Sequence, residues 1–396
     1  MTLLFLLACE PAVEDESTED AAEVAKSEDG GHWKRLDAMA FGHVDYTATA
    51  YADGSVLLVG GFSDKAELYD ATRKRFRTVA PAPDSRMDHA AVLLADGRVL
   101  LAGGRVSLGG ERRVDASTLL YNRADDTWSA GPSMTLARAE HTLSVVGDRV
   151  WACGGGDESR LIAPCEVFDG TSWTLSDELD VPRRGHTATV EGGRLYIIGG
   201  TDDDGVVGTV DVLGGSSPGP LKLPRAHHHA FEHEGDIWVV GGWDGEDVTG
   251  SVEILKDGAW TEGVALHHPR GLHGGGSLPD GRVVIFGGTP IVDSPDVLAL
   301  REVELFEDGA WVYGARLVKG RYGAPTLVTD EGLVFAGGDS RGKAVMDITR
   351  YSPGEKPPRE ESPEDLPSLG AEDAPPPAPE GPPPPPMTMD LPDAHR

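Results

Sequence analysis

A short apolar run that ends in two glycines returns seven times along the chain. The runs are VLLVGG from Val56, VLLAGG from Val99, VWACGG from Val150, LYIIGG from Leu195, IWVVGG from Ile237, VVIFGG from Val283 and LVFAGG from Leu333. Successive glycine pairs lie 43, 51, 45, 42, 46 and 50 residues apart. A period of this length is typical of repeat architectures, in which each unit is one small sheet that packs against its neighbours.

Each unit can be divided into four short strands. A tight Asp-Gly turn, such as ADGR at residues 95–98 or PDGR at residues 279–282, joins a first strand to the glycine-ended strand. A loop of variable length then leads to a third strand, such as CEVFD from Cys165. The fourth strand carries an aromatic residue in five units: Phe76, Trp128, Trp173, Trp260 and Trp311. Four antiparallel strands repeated radially predict an all-β protein, a seven-bladed β-propeller.

This repeat resembles that of the kelch family, which combines an apolar run, a glycine pair, and a spaced tyrosine and tryptophan. The third strand carries the expected aromatic residue in five units: Tyr69, Tyr121, Phe168, Phe306 and Tyr351. The resemblance covers residues 32–353 and implies one propeller domain over that range. The fourth unit departs from the pattern, because Leu213 replaces the aromatic residue and GGSSPGPLKLP contains no tryptophan. We expect its outer strand to be the weakest.

The seventh unit lacks a fourth strand of its own. Its third strand, DITRYS at residues 347–352, is followed by proline-rich sequence without tryptophan. At the other end of the domain, HWKRLDAM at residues 32–39 resembles TWSAGPSM at residues 127–134. We therefore predict that the N-terminal segment supplies the outer strand of the last blade, which closes the ring and removes exposed sheet edges.

The chain opens with MTLLFLLACE, an apolar run that ends at Cys9. This run resembles a bacterial lipoprotein signal with its lipobox over residues 1–9, which implies export, lipidation of Cys9 and removal of residues 1–8. An apolar run this short cannot span a bilayer as a permanent helix, which favours a cleaved signal. The alternative is an apolar N-terminus without a targeting role. We predict a membrane-anchored lipoprotein that faces the periplasm or the cell surface.

Two acidic segments flank the repeats. Residues 10–31 contain nine acidic residues and one lysine, and residues 354–396 are acidic and rich in proline. Because neither segment has enough apolar side chains to form a core, we predict a disordered tether and a disordered tail. The formal net charge of −31 opposes binding to nucleic acid. We expect a monomer whose contact with the membrane is made only through the lipid on Cys9.

Five units carry the motif Arg-x-x-His just before the first strand. The pairs are Arg86 and His89, Arg138 and His141, Arg183 and His186, Arg225 and His228, and Arg270 and His273; Arg321 stands at the same place without the histidine. A ring of guanidinium groups at the mouth of the propeller, with His228 among them, could bind an anionic ligand. The alternative is a packing role, in which the arginines pair with acids or carbonyls of neighbouring blades, since function usually breaks the symmetry of repeats.

The histidine-rich stretches and the acidic loop are weak candidates for metal binding. His227 and His229 in HHHAFEH would share one side of a strand, but no carboxylate or cysteine lies at the spacing of a known metal site. HHPRGLH from His267 is an equally weak candidate. DDDG at residues 202–205 lacks the downstream glutamate of a calcium loop. We expect no metal and no cofactor.

Cys153 and Cys165 bear on both chemistry and compartment. Each falls where other units place an apolar core residue, so neither suits the tyrosine-linked cysteine that the resemblance to a copper radical oxidase of the kelch family would require. They end the second strand and begin the third strand of one unit, so they could form a disulfide outside the cytoplasm. Two buried thiols are the alternative, because a register slip of one residue would point the side chains apart.

The sequence contains no evident nucleophile or pair of carboxylates for acid–base chemistry. Variable loops on one side of a rigid ring are the natural recognition surface. We therefore predict a non-catalytic binding module at the bacterial cell envelope that recognises a protein or a glycan through these loops. The alternative is a carbohydrate-active enzyme that acts on an acidic sugar, because the kelch family that the repeats resemble includes a sialic acid epimerase and a copper radical oxidase of galactose.

Overall fold

The computed structural model describes residues 31–352, apart from residues 43–44, 62, 109–110, 293–297, 330–331 and 341–342. These residues all belong to one compact unit, Met1–Glu355. Cys9, the signal predicted over residues 1–9, and nearly all of the two acidic segments lie outside the described residues. Within the part that is described, no helix has the length and hydropathy needed to cross a bilayer.

The described chain consists of β-strands joined by turns and loops. The strands of the first half are β1 (His32–Ala38), β2 (Tyr46–Ala50), β3 (Val56–Gly60), β4 (Ala66–Asp70), β5 (Arg75–Thr78), β6 (Ser85–Met87), β7 (Ala90–Leu93), β8 (Val99–Ala102), β9 (Arg105–Leu108), β10 (Glu111–Val114), β11 (Thr118–Asn122), β12 (Thr127–Ala130), β13 (Thr142–Val146), β14 (Arg149–Cys153), β15 (Pro164–Phe168) and β16 (Trp173–Glu178). The strands of the second half are β17 (Thr187–Glu191), β18 (Arg194–Ile198), β19 (Val210–Leu213), β20 (His229–His233), β21 (Asp236–Val240), β22 (Val252–Lys256), β23 (Ala259–Glu262), β24 (Gly274–Ser277), β25 (Val283–Phe286), β26 (Val303–Glu307), β27 (Ala310–Tyr313), β28 (Thr326–Thr329), β29 (Gly332–Ala336), β30 (Asp339–Ser340), β31 (Lys343–Ala344) and β32 (Asp347–Ser352).

Each repeat forms its own antiparallel sheet, which we call a blade and number from 1 to 7 along the chain. The blades are β2-β3-β4-β5, β7-β8-β11-β12, β13-β14-β15-β16, β17-β18-β19, β20-β21-β22-β23, β24-β25-β26-β27 and β28-β29-β32-β1. The first strand of each blade contacts the first strand of the next, and β28 contacts β2, so these contacts form a closed cycle. The prediction of an all-β propeller of antiparallel blades is confirmed, and in the described chain every blade except the fourth has four strands.

The N-terminal strand completes the last blade. β1 pairs antiparallel with β32, with His32 opposite Ser352 and Trp33 opposite Tyr351. The Trp33 ring lies 5.5 Å from the Phe286 ring of blade 6, and its Nε1 donates a hydrogen bond of 2.6 Å to Ala315 O. Closure by residues near the N-terminus is therefore as predicted, and Trp33 joins the last two blades.

Blade 4 has three strands. Residues 214–221, where the other repeats form an outer strand, instead run as a loop beside β19. The hydroxyl of Ser217 donates to Val210 O at 2.6 Å, and Gly215 N donates to Val212 O at 3.1 Å. This loop satisfies carbonyls of the edge without adding a strand, which protects the edge from pairing with another chain. The weakness predicted for this outer strand thus takes the form of its absence.

The core lies between the blades. Seven clusters of buried apolar residues each join two neighbouring sheets; one of them packs Tyr196 and Ile198 of blade 4 against Ile237 and Val239 of blade 5. Residues of the glycine-ended strands are almost wholly buried on both faces, because each sheet is covered by a blade on either side. This explains why those strands are continuous apolar runs.

We predict that Trp33→Ala lowers the free energy of unfolding by about 3–5 kcal/mol, because the substitution leaves a cavity between blades 6 and 7. Urea denaturation of the full chain measures the loss. Trp33→Phe is the control, and it should cost less because it keeps most of the apolar contact. A loss below about 1 kcal/mol for the alanine variant would mean that this closure contributes little.

Candidate binding face

The six arginines of the repeated motif are inside the protein. Arg225 shows the common arrangement: its Nη1 donates to Gly241 O (2.9 Å) and Ser251 O (3.0 Å), and its Nη2 donates to Glu253 Oε1 (2.8 Å). The set Arg86, Arg138, Arg183, Arg225, Arg270 and Arg321 has side chains that are at most 2% exposed. Each of them donates to the carbonyl of the first glycine in its own blade.

The same arginines also join neighbouring blades through the backbone. The carbonyl of Arg225 accepts a hydrogen bond of 2.8 Å from Gly200 N, the second glycine of blade 4. Equivalent bonds run from Gly61, Gly104, Gly155, Gly242 and Gly288 to the other five arginines. We call this arrangement, in which one arginine binds the glycine pairs of two blades and a carboxylate, the arginine latch.

A carboxylate completes each latch. Glu253 on the third strand accepts from Arg225 and also from the amides of Lys222 (2.7 Å) and Leu223 (3.1 Å), in the segment that enters the blade. Glu166, Asp211 and Glu304 occupy the same place. Blade 2 has Leu119 there, and Arg86 pairs instead with Asp84. Sequence reasoning missed these acids, although they recur one or two positions after the start of the third strand.

The histidines of the motif fill the space beside the glycines. A Cβ at Gly241 would lie 2.7 Å from His273 Cε1 and 2.6 Å from Arg270 O, and Gly241 has φ +60°, so only glycine fits there. The Nε2 of His89, His186 and His228 lies 2.8–3.1 Å from a threonine hydroxyl of the preceding blade. Burial lowers the pKa of His89 and His186 to about 3 and that of His228 well below its ordinary value.

These contacts require a correction to the interpretation of the motif as a ligand site. The arginines and His228 do not line an open mouth, because neighbouring blades cover them. Their guanidinium groups already bind carbonyls and carboxylates, and the imidazoles are neutral near pH 7. The arrangement matches the packing role that the regular repetition of the motif favours.

The two residues between the arginine and the histidine are the part of the motif that varies. The residue before the histidine position has a left-handed backbone in every blade: Asp45, Asp88, Glu140, Gly185, His227, Leu272 and Gly323, with φ between 52° and 63°. Backbone hydrogen bonds link several of them around the ring, for example from Glu140 N to Asp88 O and from Leu272 N to His227 O, both 2.9 Å. We call this ring of seven residues the mouth.

Acidic side chains break the symmetry of the mouth over blades 1 to 3. Arg105, on the additional hairpin of β9 and β10, donates to Asp88 and, at 2.9 Å, to Glu140. Desolvation, followed by the charges of Asp88, Asp339 and Glu140, raises the pKa of Asp45 to about 6. Burial raises the pKa of Asp88 as well, although Arg105 opposes that shift. Arg184 also lies 3.7 Å from Glu140, so the mouth has three acids, Asp45, Asp88 and Glu140, facing two arginines.

The loops that follow the glycine pairs continue this acidic surface. Asp157, Asp202 and Asp244 begin similar turns in blades 3 to 5, and each accepts backbone amides two and three residues later. Exposed acids follow them in the sequence: Glu158, Asp203, Asp204, Glu246 and Asp247. The DDDG stretch is thus a turn stabilised by Asp202. Among the described residues, no group of three or more potential ligands is arranged to hold a metal.

Exposed apolar side chains concentrate around blade 6. Val264, Ile291, Leu298, Tyr313 and Val318 are each between 43% and 64% exposed. The Tyr313 ring lies 4.9 Å from the His267 ring and 5.7 Å from the His268 ring, and His267 Nδ1 lies 3.0 Å from Glu304 Oε2. The HHP stretch therefore packs around an exposed tyrosine. The side of the ring that carries the mouth and these loops, which we call the loop face, is acidic over blades 1 to 5 and apolar near blade 6.

The two remaining sequence candidates are placed as follows. Cys153 and Cys165 are fully buried and joined by a disulfide, with 4.4 Å between their Cα atoms. The pair packs against Leu195, Ile197 and Leu213 of blade 4, the blade with three strands. His229 lies on β20 with Nε2 2.9 Å from Gly275 O, while His227 belongs to the mouth, so the two side chains do not form one site.

Comparison with known proteins agrees with this fold. No family model matches the chain. Kelch-like protein 36 of Bos taurus is 27% identical over 141 residues, which is 35% of this chain and 22% of that protein; the proteins of the same name in Rattus norvegicus and Mus musculus are 25% identical over 130 residues, 32% of this chain and 21% of theirs. The matched segment spans about a fifth of the length of these relatives. The solved structure of YjhT superposes with a TM-score of 0.54 at 15% identity and covers 78% of this chain and 95% of YjhT.

The described sheets and these similarities lead to one class: the chain is a kelch-type β-propeller. The resemblance of the repeats to the kelch family is confirmed. The similarity to YjhT concerns the fold alone, and the function of this chain has to be argued from its own residues.

We predict that the buried histidines make the fold sensitive to acid. A histidine with a pKa of about 3 in the folded state and about 6.5 in the unfolded state leaves stability complete above pH 6.5, and stability falls as the pH decreases below that value. His89→Gln should reduce the slope of unfolding free energy against pH, between pH 6 and 4, by about 1.4 kcal/mol per pH unit. Urea denaturation across this range measures the slope.

The two proteins compared at pH 8 provide the control for His89→Gln. At that pH the imidazole is neutral in both the folded and the unfolded state, so any difference reports packing alone. An unchanged slope below pH 6 would contradict the conclusion that His89 is buried as a neutral group.

Proposed function

We propose that this propeller is a non-catalytic module that binds a protein through its loop face. The proposal is based on the places at which the repeats differ from one another. The latch residues are nearly the same in six blades and are buried, whereas the mouth and loops differ from blade to blade and are partly or fully exposed. Residues that bind a partner are free of the packing constraint that keeps the blades alike.

The chemistry of the loop face defines the partner that fits it. Desolvation, followed by the charges of neighbouring acids, raises the pKa of Asp45, and a cation bound at the mouth would favour its ionised form. The exposed acids of blades 3 to 5 extend the same preference, and Tyr313 with Val264 and Val318 offers apolar contact at one side. A protein surface with lysine or arginine beside an apolar residue complements this combination.

An acidic sugar fits the same face poorly. The guanidinium groups that would bind its carboxylate are buried and paired, and Asp45, Asp88 and Glu140 stand at the mouth. Negative charge at the mouth repels an anionic substrate. For this reason we favour protein binding over a carbohydrate-active enzyme.

We also propose that the module is exported and held at a membrane by a lipid on Cys9. The LLAC run carries this part of the proposal, and the disulfide between Cys153 and Cys165 supports it because such bonds persist in oxidising compartments. β1 begins on the side of the ring opposite the loop face, since β1 pairs with β32 and β32 ends where the short turns lie. A lipid anchor at that end would leave the loop face directed away from the membrane.

We predict that acids on the loop face are required for capture of the partner. The full chain serves as bait in envelope extracts, and the proteins it captures are compared with those captured by the triple variant Asp203→Asn, Asp204→Asn, Glu246→Gln. Loss of three charges should weaken capture at least tenfold, and wild-type capture should fall as salt rises from 0.05 to 0.3 M, because salt screens exposed charges.

The control for this experiment is a variant with the same loss of charge on the opposite side of the ring. Asp125→Asn, Asp148→Asn and Asp257→Asn alter exposed turn residues there. Retention of the same proteins by the control variant and their loss from the loop-face variant support the proposal. Equal capture by both variants would place the binding surface elsewhere.

We predict that Cys9→Ser releases the protein from membranes. Wild-type protein produced in a bacterial host should partition into the detergent phase, while the serine variant should stay in the aqueous phase or retain residues 1–8, since it has no thiol to acylate. Ser17→Ala, a change in the predicted tether, is the control and should behave as wild type. Identical partitioning of Cys9→Ser and wild type would exclude the lipid anchor.

A further inference from the structure

Cations collect at the outer edge of blades 7 and 1, in a chain that has 66 acidic and 35 basic residues. Lys34 and Arg35 lie on β1, and the turn and strand of TRKRFR contribute Arg73, Lys74, Arg75 and Arg77. All six are exposed. β1 contacts β5 directly, and Asp37 Oδ2 accepts a hydrogen bond from Phe76 N, so the two groups of cations belong to neighbouring strands. We call these six residues the cationic rim.

Most of the charge on the cationic rim is uncompensated. Arg73 pairs with Asp70 at 2.6 Å, and Arg77 lies 3.7 Å from Asp126. Lys34, Arg35, Lys74 and Arg75 form no ion pair within the described part of the chain. By contrast, the arginines of the latches all bind carboxylates.

Space for a ligand exists on the rim. A cavity of about 490 Å³ is lined by Asp70, Arg73, Arg75, Phe76 and Arg77. The one acid in this lining already accepts hydrogen bonds from Arg73. Three guanidinium groups around an open cavity favour an anion, and carboxylates are anions that arginine binds well.

The acidic segment of residues 10–31 ends where the cationic rim begins. It runs directly into β1, whose first residue His32 is opposite Ser352, and the next outward-facing pair in the same ladder is Lys34 with Arg350. The segment contains nine acidic residues and one lysine. Twenty-two residues can extend about 70 Å, so the segment has ample length to reach every residue of the rim.

We propose that residues 10–31 bind the cationic rim of their own chain. Direct attachment to β1 gives the segment an effective concentration on the order of millimolar at the rim, which a separate anion would have to exceed. The segment also has a higher density of acids than residues 354–396, which hold ten acids in 43 residues and are stiffened by proline. The contact would hold the start of the tether at the side of the ring away from the loop face, and it does not depend on what the loop face binds.

Carbodiimide coupling of the full chain tests the proposal, because this reagent joins carboxylates to amines only where they are in contact. Mass spectrometry should find Lys34 and Lys74 joined to carboxylates of residues 10–31. Lys319 is the internal control, since it is exposed and has no ion pair within the described residues but lies on a loop between blades 6 and 7. Coupling at Lys34 and Lys74 should exceed coupling at Lys319 about tenfold in 0.02 M salt and approach it in 0.5 M salt, because salt then reduces the range of electrostatic attraction to about 4 Å.

A second variant distinguishes attraction by the cationic rim from coupling that occurs only because Lys34 lies close to the segment along the chain. Arg35→Gln with Arg75→Gln leaves both lysines in place but removes two cations, and it should reduce coupling at Lys74 several-fold. Mixing chains of natural and heavy nitrogen distinguishes coupling within a chain from coupling between chains. Coupling of the rim lysines to residues 354–396, coupling between chains, or no excess over Lys319 would each overturn the proposal.

Discussion

At six blade boundaries, one buried arginine contacts three parts of the protein at once. Arg225 binds the carbonyl of Gly241 in its own blade, accepts from Gly200 N of the preceding blade, and pairs with Glu253, which also holds the incoming segment. Burial lowers the pKa of this arginine against the pull of the carboxylate, so the pair is formed at a cost in desolvation. We infer that the latch sets the register and orientation of each blade relative to the next, which apolar packing alone would leave less well defined.

The latch, and not the strand, is the reason why two glycines are required. The first glycine lies under the histidine of the next blade, and the second donates its amide to the carbonyl of that blade's latch arginine; both have positive φ. A side chain at Gly242 would lie 2.8 Å from both Ala226 O and His228 Cβ. Arginine, histidine and the two glycines therefore pack as one unit, although they come from two parts of the repeat. The arginine and the first glycine of its own blade are 16 residues apart in blades 3 to 5. This is why the repeats agree so closely at these positions and so little in the loops.

The strands and their arrangement could be predicted because alternation, turns and period act locally along the sequence. The closing role of residues 32–39 could be predicted as well, since a missing strand at one end matched a surplus strand at the other. The burial of the arginines could not, because a charged side chain is normally exposed and its carboxylate partner lies 26–34 residues away in most blades. The additional hairpin of β9 and β10 carries no periodic signal, so Arg105 and the acids it binds at the mouth were missed.

The two charged regions of the propeller have different relations to the fold. The acids of the mouth occupy backbone positions that every blade needs, but their side chains are replaced by glycine, histidine or leucine in other blades, so the fold does not require their charge. The cations of the rim likewise contribute little to stability, because exposed charges of one sign repel each other. The fold requires neither set of charges, and burial together with the neighbouring acids raises the pKa of Asp45. A cationic protein at the mouth and the acidic segment at the rim would each remove one of these electrostatic costs, and because the two regions lie on different sides of the ring, both could be bound at the same time.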